Sequence, residues 1–261
     1  MIDVIIPAYN CSKTIGRTLS SLVAQTDNNF NVIIVDDCST EDFSNIVNDY
    51  KKLLNIIYIK NDVNMGAGMS RQVGINNSLS KFIVFLDSDD MFMPYTIETF
   101  NTAIGSNPNL EILHTYFYEQ MYVDDVATLA LHKDNYTACH GKLYNVEVIR
   151  KFGIEFVPEV VWSEDAFFNS MCTELMQVGV LKIPTYIWTF NTNSLLHNVN
   201  EDRDKNKVKY FVKAMKRSSE FVKKYKKDVS HLEASIQQVL KDCKLNDDDK
   251  KELDKLLQGG E

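Results

Sequence analysis

The chain lacks any grouping of cysteine or histidine that would bind zinc. Its five cysteines are scattered, odd in number and never spaced as C-x-x-C, and its five histidines show neither H-x-H nor H-E-x-x-H spacing. Zinc centres and disulfide frameworks both need such clustering, so we expect reduced thiols and no zinc site. The sequence also has no G-x-S-x-G elbow and no cysteine–histidine signature, which leaves nucleophilic acyl transfer without support.

Long hydrophobic runs are missing as well. No apolar stretch approaches the ~20 residues that would span a bilayer. The N-terminal segment MIDVIIPAYN has no basic start and reaches a proline after six residues, unlike a signal peptide. The composition, 44% hydrophobic and 25% charged, is that of an ordinary globular protein. We therefore expect a cytoplasmic protein, with peripheral contact at the inner face of the membrane as an open alternative.

Basic residues are scarce over the first 200 positions. Residues 201–261 contain 16 Lys and Arg against 13 Asp and Glu, which leaves 12 basic and 23 acidic side chains for residues 1–200. A general nucleic-acid binder presents a basic surface, so we do not expect nucleic acid as a partner. An acidic body suits a site that collects cations.

The first half alternates short β-rich runs with helical patterns. This alternation predicts an α/β fold in which a Rossmann-like, mostly parallel sheet is flanked by helices. Ser12 is the expected N-cap of the first helix, and Pro7 is expected to end the first strand because proline has no backbone N–H. The predicted strands span residues 3–6, 31–35, 56–59, 82–86, 110–118, 121–123 and 180–188. The predicted helices include residues 43–50, 70–79, 145–151 and 165–176, and the chain is helical from about residue 203.

Polar side chains follow each of the first four strands. Ala8-Tyr9-Asn10 follow the first, Asp36-Asp37 the second, the glycine-containing stretch 61–71 the third, and Asp87-Ser88-Asp89-Asp90 the fourth. Ligands of open α/β sheets bind outside the carboxyl ends of the strands. We therefore expect these four groups to converge on one edge of the sheet and to form a ligand site there.

The D-S-D-D group after the fourth strand is open to two interpretations. Carboxylate oxygens suit Mg²⁺ or Mn²⁺, which commonly bind one or two carboxylates together with substrate phosphates. Alternatively, the group is a solvated turn into the helix that follows Pro94. Like charges packed this closely are costly without a cation or water to offset them. The residues alone leave both interpretations open.

The glycines of the third loop do not form a nucleotide fingerprint. The G-K-[ST] triplet is absent, and a Rossmann fingerprint would follow the first strand and place a small residue where Arg71 stands. We expect Gly66 and Gly68 instead to let the backbone pass close to a ligand. Arg71 could then reach a phosphate or a base edge.

A further acidic pair, Glu164-Asp165, begins one of the predicted helices. The two carboxylates could favour the helix N-terminus electrostatically. Alternatively, one of them could act as a general base at the rim of a pocket. Both interpretations stay open at the level of these residues.

Taken in order, five segments resemble family-2 glycosyltransferases of the GT-A fold. They are PAYN, VDDCS, NMGAGMSRQVGI, FLDSDD and WSEDAFF. A sixth, KLYNVEVIRKFGIEF, is similar to the acceptor-side region of cell-surface polysaccharide transferases of that family. The resemblance covers about residues 1–200. It implies a metal-dependent, inverting transfer of a sugar from a nucleotide-sugar, usually a UDP-sugar, to a hydroxyl of a glycan or lipid-linked acceptor.

The resemblance also implies a donor site. Its contacts would be Pro7, Ala8, Tyr9, Asp37, Gly66, Arg71 and Asp87. Among them, Asp37 would accept a hydrogen bond from the uracil N3–H, Arg71 would lie near the base or diphosphate, and Asp87 would lie beside the ribose.

The implied cofactor is Mn²⁺ or Mg²⁺. Asp89 would be its main ligand, with Asp87 beside it. The family often has an arginine where this chain has Thr189, so His197 is the expected substitute for that contact and a further candidate at the metal.

The implied chemistry is an in-line displacement that inverts the anomeric configuration. Asp165 matches the catalytic base of the family, which deprotonates the acceptor hydroxyl, and Glu164 would position it. These roles come from the resemblance and assign the two acidic groups, at residues 87–90 and 164–165, to different steps.

The expected domain organisation follows the same resemblance. Residues 1–200 would form the GT-A catalytic domain, with a nucleotide-sugar half at 1–105 and an acceptor half at 106–200. A charged helical extension, 201–261, would follow. Its residues 205–227 contain ten Lys and Arg and a single acidic residue. Such a basic amphipathic helix could pack on the catalytic domain or lie on an anionic membrane surface. A third alternative is attraction to a polyanionic acceptor, including a modified nucleic acid.

Two other functions stay open at this point. A nucleotidyltransferase shares the α/β sheet and carboxylate-bound Mg²⁺, but it needs a glycine-rich basic loop after the first strand, where PAYNCSKT offers only Lys13. A catalytically inactive nucleotide-sugar binding module would keep the donor site without turnover.

Overall fold

The computed structural model describes residues 1–123, 126–133, 137–160, 162–189, 201–242 and 251. Strands and helices alternate through the first hundred residues, as predicted. The strands are β1 (Ile2–Ala8), β2 (Phe30–Asp36), β3 (Ile56–Lys60), β4 (Phe82–Phe85), β5 (Met91–Phe92), β6 (Ile112–Val123), β7 (Val126–His132), β8 (Lys142–Asn145) and β9 (Val178–Thr189). The helices are α1 (Ile15–Val23), α2 (Ser44–Tyr50), α3 (Gly66–Asn77), α4 (Thr96–Ser106), α5 (Val146–Phe152), α6 (Glu164–Leu175), α7 (Glu201–Lys223) and α8 (Ser230–Asp242).

The nine strands form one sheet with a parallel part and a mixed part. Its order is β3-β2-β1-β4-β8-β6-β9-β5, and β7 pairs with β6 outside that path. β1 is parallel to β2 and β4, and β2 is parallel to β3. β8 and β7 are antiparallel to their neighbours. The predicted α/β fold, with a Rossmann-like parallel sheet, flanking helices and C-terminal helices, is confirmed.

Pro7 does not end the first strand, contrary to expectation. β1 continues to Ala8, whose carbonyl accepts a hydrogen bond from Asp37 N on the β2 side. The carbonyl of Ile5 accepts from Leu86 N on the β4 side, so alternate β1 residues face opposite neighbours. Pro7 faces the β4 side at a position beyond the last residue of β4. Its missing N–H therefore does not interrupt the hydrogen bonds between β1 and β4.

The predicted N-cap of α1 is also wrong. The hydroxyl of Ser12 donates to Glu41 Oε2 at 2.6 Å instead of capping the helix. The first helical N–H, that of Ile15, donates to the carbonyl of Cys11 at 2.9 Å, so α1 starts later than predicted. The hydrogen bond between Ser12 and Glu41 joins the loops that follow β1 and β2, and a contact between residues so far apart in the chain could not be predicted from the local sequence.

The parallel part of the sheet is covered by helices on both faces. On one face, β1, β2 and β4 pack on α1 in a core in which the side chains are almost fully buried. On the other, α3 approaches β1 so closely that a Cβ at Gly74 would collide with Ile5. This burial explains why the first strands are almost entirely apolar.

The second half of the sheet differs most from the prediction. β6 is one continuous strand where two were expected, and β5, β7 and β8 were not predicted. β7 exposes most of its side chains, so it lacks the alternation that identifies a half-buried strand. β9 follows its predicted course, with a register shift against β6 at Pro184.

The described residues divide into two compact units. The first lies within Met1–Asn135, Cys139–Glu155 and Met176–Phe190, and the second within Tyr136–Ala138, Phe156–Leu175 and Asn191–Glu261. The expected domain boundaries at residues 105 and 200 stay predictions.

In the second unit, helix α7 packs its apolar side on α6. Val212, Met215 and Val222 are buried, and the hydroxyl of Ser218 donates to the carbonyl of Phe167 at 3.1 Å. The apolar side of the basic segment 205–227 is therefore covered by protein, which supports the packing alternative. Membrane contact through its lysines stays a prediction. None of the helices in the described ranges combines the length and apolar character needed to cross a bilayer.

Candidate active site

The carboxyl ends of β2, β1 and β4 lie side by side, as expected. These strands are neighbours in the parallel part of the sheet. We call Asp36 and Asp37 the β2 end, and Asp87 to Asp90 the β4 end. Both acidic groups thus flank the loop that follows β1, and the three loops together form one edge of the first unit.

Of the three residues predicted after β1 to line a base pocket, only Tyr9 is exposed. Its side chain is 49% exposed, whereas Pro7 and Ala8 are buried within the sheet. Tyr9 is therefore the member of this group that can offer a ring face to a ligand, and the contacts of all three stay predictions.

Asn10 joins the loop after β1 to the loop after β2, a role that the sequence analysis missed. Its backbone has a φ of +47°, a region that asparagine tolerates better than most residues. Its Oδ1 accepts from Thr40 N at 2.9 Å, from the Thr40 hydroxyl at 3.2 Å and from Glu41 N at 3.2 Å. Its own N–H donates to the Ser39 hydroxyl. The two loops therefore form one connected structure.

Asp36 at the β2 end is a buried, well-partnered carboxylate. It accepts from Ser39 N at 2.8 Å and from the Tyr58 hydroxyl at 2.6 Å, and Lys60 Nζ lies 3.4 Å away. Burial raises the pKa of Asp36, but the hydrogen bonds from Ser39 and Tyr58 and the Lys60 charge outweigh it, so the net pKa is lowered. Asp36 is therefore held as a structural anion.

Asp37, the other residue of the β2 end, caps helix α3. It accepts from Met65 N at 2.9 Å, from Gly66 N at 2.7 Å and from Asn61 Nδ2 at 2.9 Å. The carboxylate satisfies the first N–H groups of α3 and lies at the positive end of the helix dipole. This explains why α3 begins at Gly66, four residues before the predicted start.

These contacts leave Asp37 capacity for one more donor. A carboxylate has about four acceptor sites, and three of them are used within the protein. Gly66 has a φ of +86° and nothing lies within 4 Å of the Cβ it lacks, but Asp37 itself is only 3% exposed. The predicted hydrogen bond from a uracil N3–H to Asp37 stays a prediction.

Arg71 links α3 to the β4 end. Its Nη2 lies 2.7 Å from Asp87 Oδ1, and its side chain is only 4% exposed against 36% for Asp87. Arg71 is therefore placed beside the carboxylate expected to lie near the donor.

The backbone of the β4 end is fixed by helix α1. The Thr18 hydroxyl donates to the carbonyl of Ser88 at 3.0 Å, and Arg17 Nη2 donates to the carbonyl of Asp89 at 2.6 Å. Asp90 N closes the turn by donating to the carbonyl of Asp87 at 3.0 Å. The turn is thus built into the fold, and the side chains of Asp87 and Asp89 stay partly exposed.

Asp90 points into the protein rather than towards a ligand. It is 1% exposed and accepts from the Tyr186 hydroxyl at 2.6 Å and from Thr189 N at 2.7 Å. Burial raises the pKa of Asp90 well above its ordinary value, and the charges of Asp87 and Asp89 raise it further. Asp90 therefore has a structural role.

The β4 end fits a divalent cation held partly by substrate. Within the described ranges, no three His, Cys, Asp or Glu side chains are grouped so that they could hold a metal ion by themselves. Mg²⁺ and Mn²⁺ sites formed by one or two carboxylates and substrate phosphates do not need a third protein ligand. Asp87 and Asp89 provide two partly exposed carboxylates of this kind. His197, the other expected contact, lies outside the described residues.

Glu164 and Asp165 form the first turn of α6 in the second unit. Both are half-buried. Ser163, directly before them, has a φ of +59°, and its carbonyl accepts from Phe167 N at 2.9 Å. This position suits a carboxylate electrostatically, and the catalytic role of the pair stays a prediction.

A family model described as glycosyl transferase family 2 matches residues 3–153, which is more than half of the chain. The chain belongs to glycosyltransferase family 2. The matched region contains the β2 end, the β4 end and the glycines of α3. Family membership therefore agrees with the resemblance inferred from the order of these motifs.

Among relatives, the chain is 41% identical over 93 residues to an Escherichia coli protein named UDP-Glc:alpha-D-GlcNAc-diphosphoundecaprenol beta-1,3-glucosyltransferase WfaP. This match covers 36% of the chain and 37% of that protein. The chain spans well under half of the length of the first curated relatives that it matches.

Two solved glycosyltransferase structures have the same fold. Staphylococcus aureus TarS 1-349 in complex with UDP-GlcNAc gives a TM-score of 0.70 at 20% identity, covering 85% of this chain and 70% of that one. The mannosyltransferase PcManGT from Pyrobaculum calidifontis, in complex with GDP-Man and Mn²⁺, gives 0.62 at 13% identity, covering 83% and 63%. At these identities the likeness shows the fold alone, and that fold is GT-A.

Proposed function

We propose that this family-2 chain transfers a sugar from a UDP-sugar to an acceptor hydroxyl, with inversion and with Mn²⁺ or Mg²⁺ as cofactor. The main support is the convergence of the β2 end and the β4 end on one edge of a parallel sheet. One end offers a preorganised hydrogen-bond acceptor, and the other offers two partly exposed carboxylates. A uracil base and a diphosphate–cation group need these two environments at the two ends of one ligand.

On the β2 side, Tyr9 and Asp37 would bind the base, and Pro7, Ala8 and Gly66 would form the pocket wall. Asp37 is already oriented by Gly66 N and Asn61, which preorganises it as an acceptor. The names of the relatives agree with a UDP-sugar: WfaP is named for UDP-Glc, and TarS was solved with UDP-GlcNAc.

On the β4 side, Asp89 and Asp87 would hold the cation, and Arg71 would lie beside the diphosphate. A bound divalent cation would stabilise the negative charge that develops on the departing nucleoside diphosphate. The Mn²⁺ in the PcManGT complex agrees with this cofactor class. Arg71 orients Asp87 through their 2.7 Å contact.

On the acceptor side, we propose that Asp165 removes the proton of the attacking hydroxyl and that Glu164 positions Asp165. The support is the place of the Glu-Asp pair in the order of family motifs and its position in the first turn of α6. A glycan or a lipid-linked glycan is the proposed acceptor, in line with the diphosphoundecaprenol in the name of WfaP. Residues 1–200 would form the catalytic domain.

A thermal-shift screen of UDP-, GDP- and dTDP-sugars with and without Mn²⁺ tests the donor. A ligand that binds the folded state raises the apparent stability with its occupancy, so we expect the largest rise for UDP-sugars with Mn²⁺. Slow, chelator-sensitive release of UDP from the donor would exclude an inactive binding module. Release of pyrophosphate from UTP and a sugar phosphate would indicate a nucleotidyltransferase instead.

Two substitutions separate the proposed roles. Asp89→Ala should weaken UDP binding in the presence of Mn²⁺, whereas Asp165→Asn should spare UDP binding and abolish transfer. Full turnover by both variants with a working acceptor would contradict the proposal.

A further inference from the structure

The hydroxyl of Tyr186 bonds both ends of the turn that contains the two proposed metal ligands. It accepts from Asp87 N at 3.2 Å and donates to Asp90 Oδ2 at 2.6 Å. Asp89 lies between these two residues. One side-chain group from β9, almost a hundred residues further along the chain, therefore holds the first and the last residue of the turn.

The ring of Tyr186 is itself fixed on two sides. It is fully buried, packs edge-on against Phe92 with ring centroids 5.9 Å apart, and stacks on His140 with centroids 5.1 Å apart. Phe92 is also its partner in the pairing of β5 with β9. Tyr186 itself and Phe92 belong to paired strands of the sheet, and His140 lies in the turn before β8, so the ring position is set mainly by the sheet.

A second bond from β9 reinforces the first. Thr189 N donates to Asp90 Oδ1 at 2.7 Å, so Asp90 accepts from β9 through both oxygens. On its other side, the turn is bonded to α1 through the carbonyls of Ser88 and Asp89. The turn is thus held between α1 and β9.

We propose that Tyr186 is a positioning residue that places Asp87 and Asp89 for the cation and the donor diphosphate while touching neither ligand. This inference rests on the proposed function. Outer partners that orient metal ligands contribute strongly to metal binding, because a ligand left mobile must be ordered each time the ion binds. Removal of the Tyr186 hydroxyl leaves Asp87 N and Asp90 Oδ2 without their shared partner.

The chain provides a matched control. Tyr58 donates to Asp36 Oδ2 at 2.6 Å, the same bond at the same length, but at the β2 end. Tyr58→Phe and Tyr186→Phe therefore remove the same hydroxyl from a tyrosine–aspartate pair, although Tyr58 is half-buried and Tyr186 is fully buried. They differ in which end of the proposed donor site they affect.

The experiment measures the affinities of uridine and UDP by calorimetry, each with Mn²⁺ and with chelator. The readout is the factor by which Mn²⁺ tightens UDP binding. For Tyr186→Phe we expect this factor to fall roughly 10- to 100-fold, with a much smaller change in uridine affinity, which reaches the turn only through the ribose. For Tyr58→Phe we expect the factor to equal that of the wild type. In donor hydrolysis, Tyr186→Phe should raise KM for the donor at saturating Mn²⁺.

Three results would overturn the proposal. The first is that Mn²⁺ tightens UDP binding by the same factor in Tyr186→Phe as in the wild type. The second is that this factor falls equally in Tyr58→Phe. The third is that Tyr186→Phe loses uridine and UDP affinity in parallel, which would indicate general destabilisation. If Tyr186→Phe does not fold, Asp90→Asn weakens the same bond while keeping the Tyr186 hydroxyl, and an unchanged factor there would be equally decisive. A wild type whose UDP affinity does not respond to Mn²⁺ would contradict the proposed function itself.

Discussion

The β2 end and the β4 end of the sheet contain similar pairs in different electrostatic settings. Asp36 and Asp90 are both buried, and each accepts a 2.6 Å hydrogen bond from the hydroxyl of a tyrosine. Yet the pKa of Asp36 is lowered, while that of Asp90 is raised well above its ordinary value. The hydrogen bond from tyrosine therefore does not decide whether the pKa of the aspartate is raised or lowered.

Burial and neighbouring charges together account for the difference. Burial is the largest cause that raises the pKa of Asp90, and the charges of Asp87 and Asp89 in the same turn raise it further. At Asp36, hydrogen bonds and the cation of Lys60 at 3.4 Å outweigh the effect of burial on the pKa. Each end has one basic side chain in contact with a carboxylate, but the β4 end groups three carboxylates within four residues, whereas the β2 end has two. The β4 end is therefore better suited to a ligand that arrives with a cation.

The largest expected effect comes from removing the cap at the β2 end. Asp37→Ala leaves the N–H groups of Met65 and Gly66 without their partner, so the free energy of unfolding should fall by about 2–4 kcal/mol. Uridine binding should be lost, as measured by calorimetry below the unfolding temperature. Asp89→Ala is the control at the other end and should spare uridine. Equal losses in both variants would mean that the two ends do not act separately.

The next effect concerns Arg71, the basic side chain beside the β4 end. Arg71→Met breaks the 2.7 Å contact with Asp87, and a hydrogen bond between charged groups contributes about 1.5–3 kcal/mol. We expect UDP affinity to fall by roughly tenfold or more with little change for uridine. Arg71→Lys keeps the positive charge but loses the planar guanidinium group. Its affinity for UDP should therefore lie between that of the wild type and that of Arg71→Met. A Met variant that binds UDP as the wild type does would contradict the phosphate-side role.

A smaller effect is expected from the link between the loops after β1 and β2. Asn10→Ala removes three hydrogen bonds to Thr40 and Glu41 and places alanine at a φ of +47°. The free energy of unfolding, measured in urea, should fall by about 1–2 kcal/mol. Asn10→Asp keeps an oxygen acceptor and should lose less. Equal losses in both variants would indicate that the side-chain oxygen is not what holds the loops.

The smallest effect is a pH dependence at the β2 end. Because the folded pKa of Asp36 is lowered, its carboxylate stabilises the fold above the unfolded pKa of about 4, and this contribution is lost as the pH falls through the folded pKa. Asp36→Asn should therefore be less stable than the wild type by about 1 kcal/mol at pH 7. Urea unfolding at several pH values should show this difference shrinking below about pH 4. A difference that stays constant with pH would contradict the role of the charge.

The sequence predicted the parallel part of the sheet well and the mixed part poorly. Strands β1, β2 and β4 are largely apolar runs, so their burial is visible locally. β7 exposes most of its side chains and β5 has only two residues, and neither leaves a period that could be recognised. The acidic residues after the strands could be recognised in the sequence as family motifs, whereas their hydrogen-bond partners could not be predicted from it.

Two functional residues, Asn10 and Tyr186, could not be predicted from the sequence, and the reason is the same for both. Asn10 and Tyr186 act through partners about 30 and about 96–99 positions away in the chain, and no local pattern marks such a contact. A buried tyrosine in a strand gives a weak signal, because its hydroxyl normally needs a partner. It does not say which partner.

By itself, the sequence determined the order of strands and helices through residue 86 and the position of acidic residues directly after strands. Those features depend on the spacing of apolar side chains and on the order of residues along the chain, both of which can be read from a short stretch of sequence. Only the tertiary structure decided that Asp37 caps α3, that Asp90 turns inward to Tyr186, and that Asp87 and Asp89 stay partly exposed. The reason is that carboxylates of one cluster acquire different roles from burial and from donors that the fold brings from distant positions.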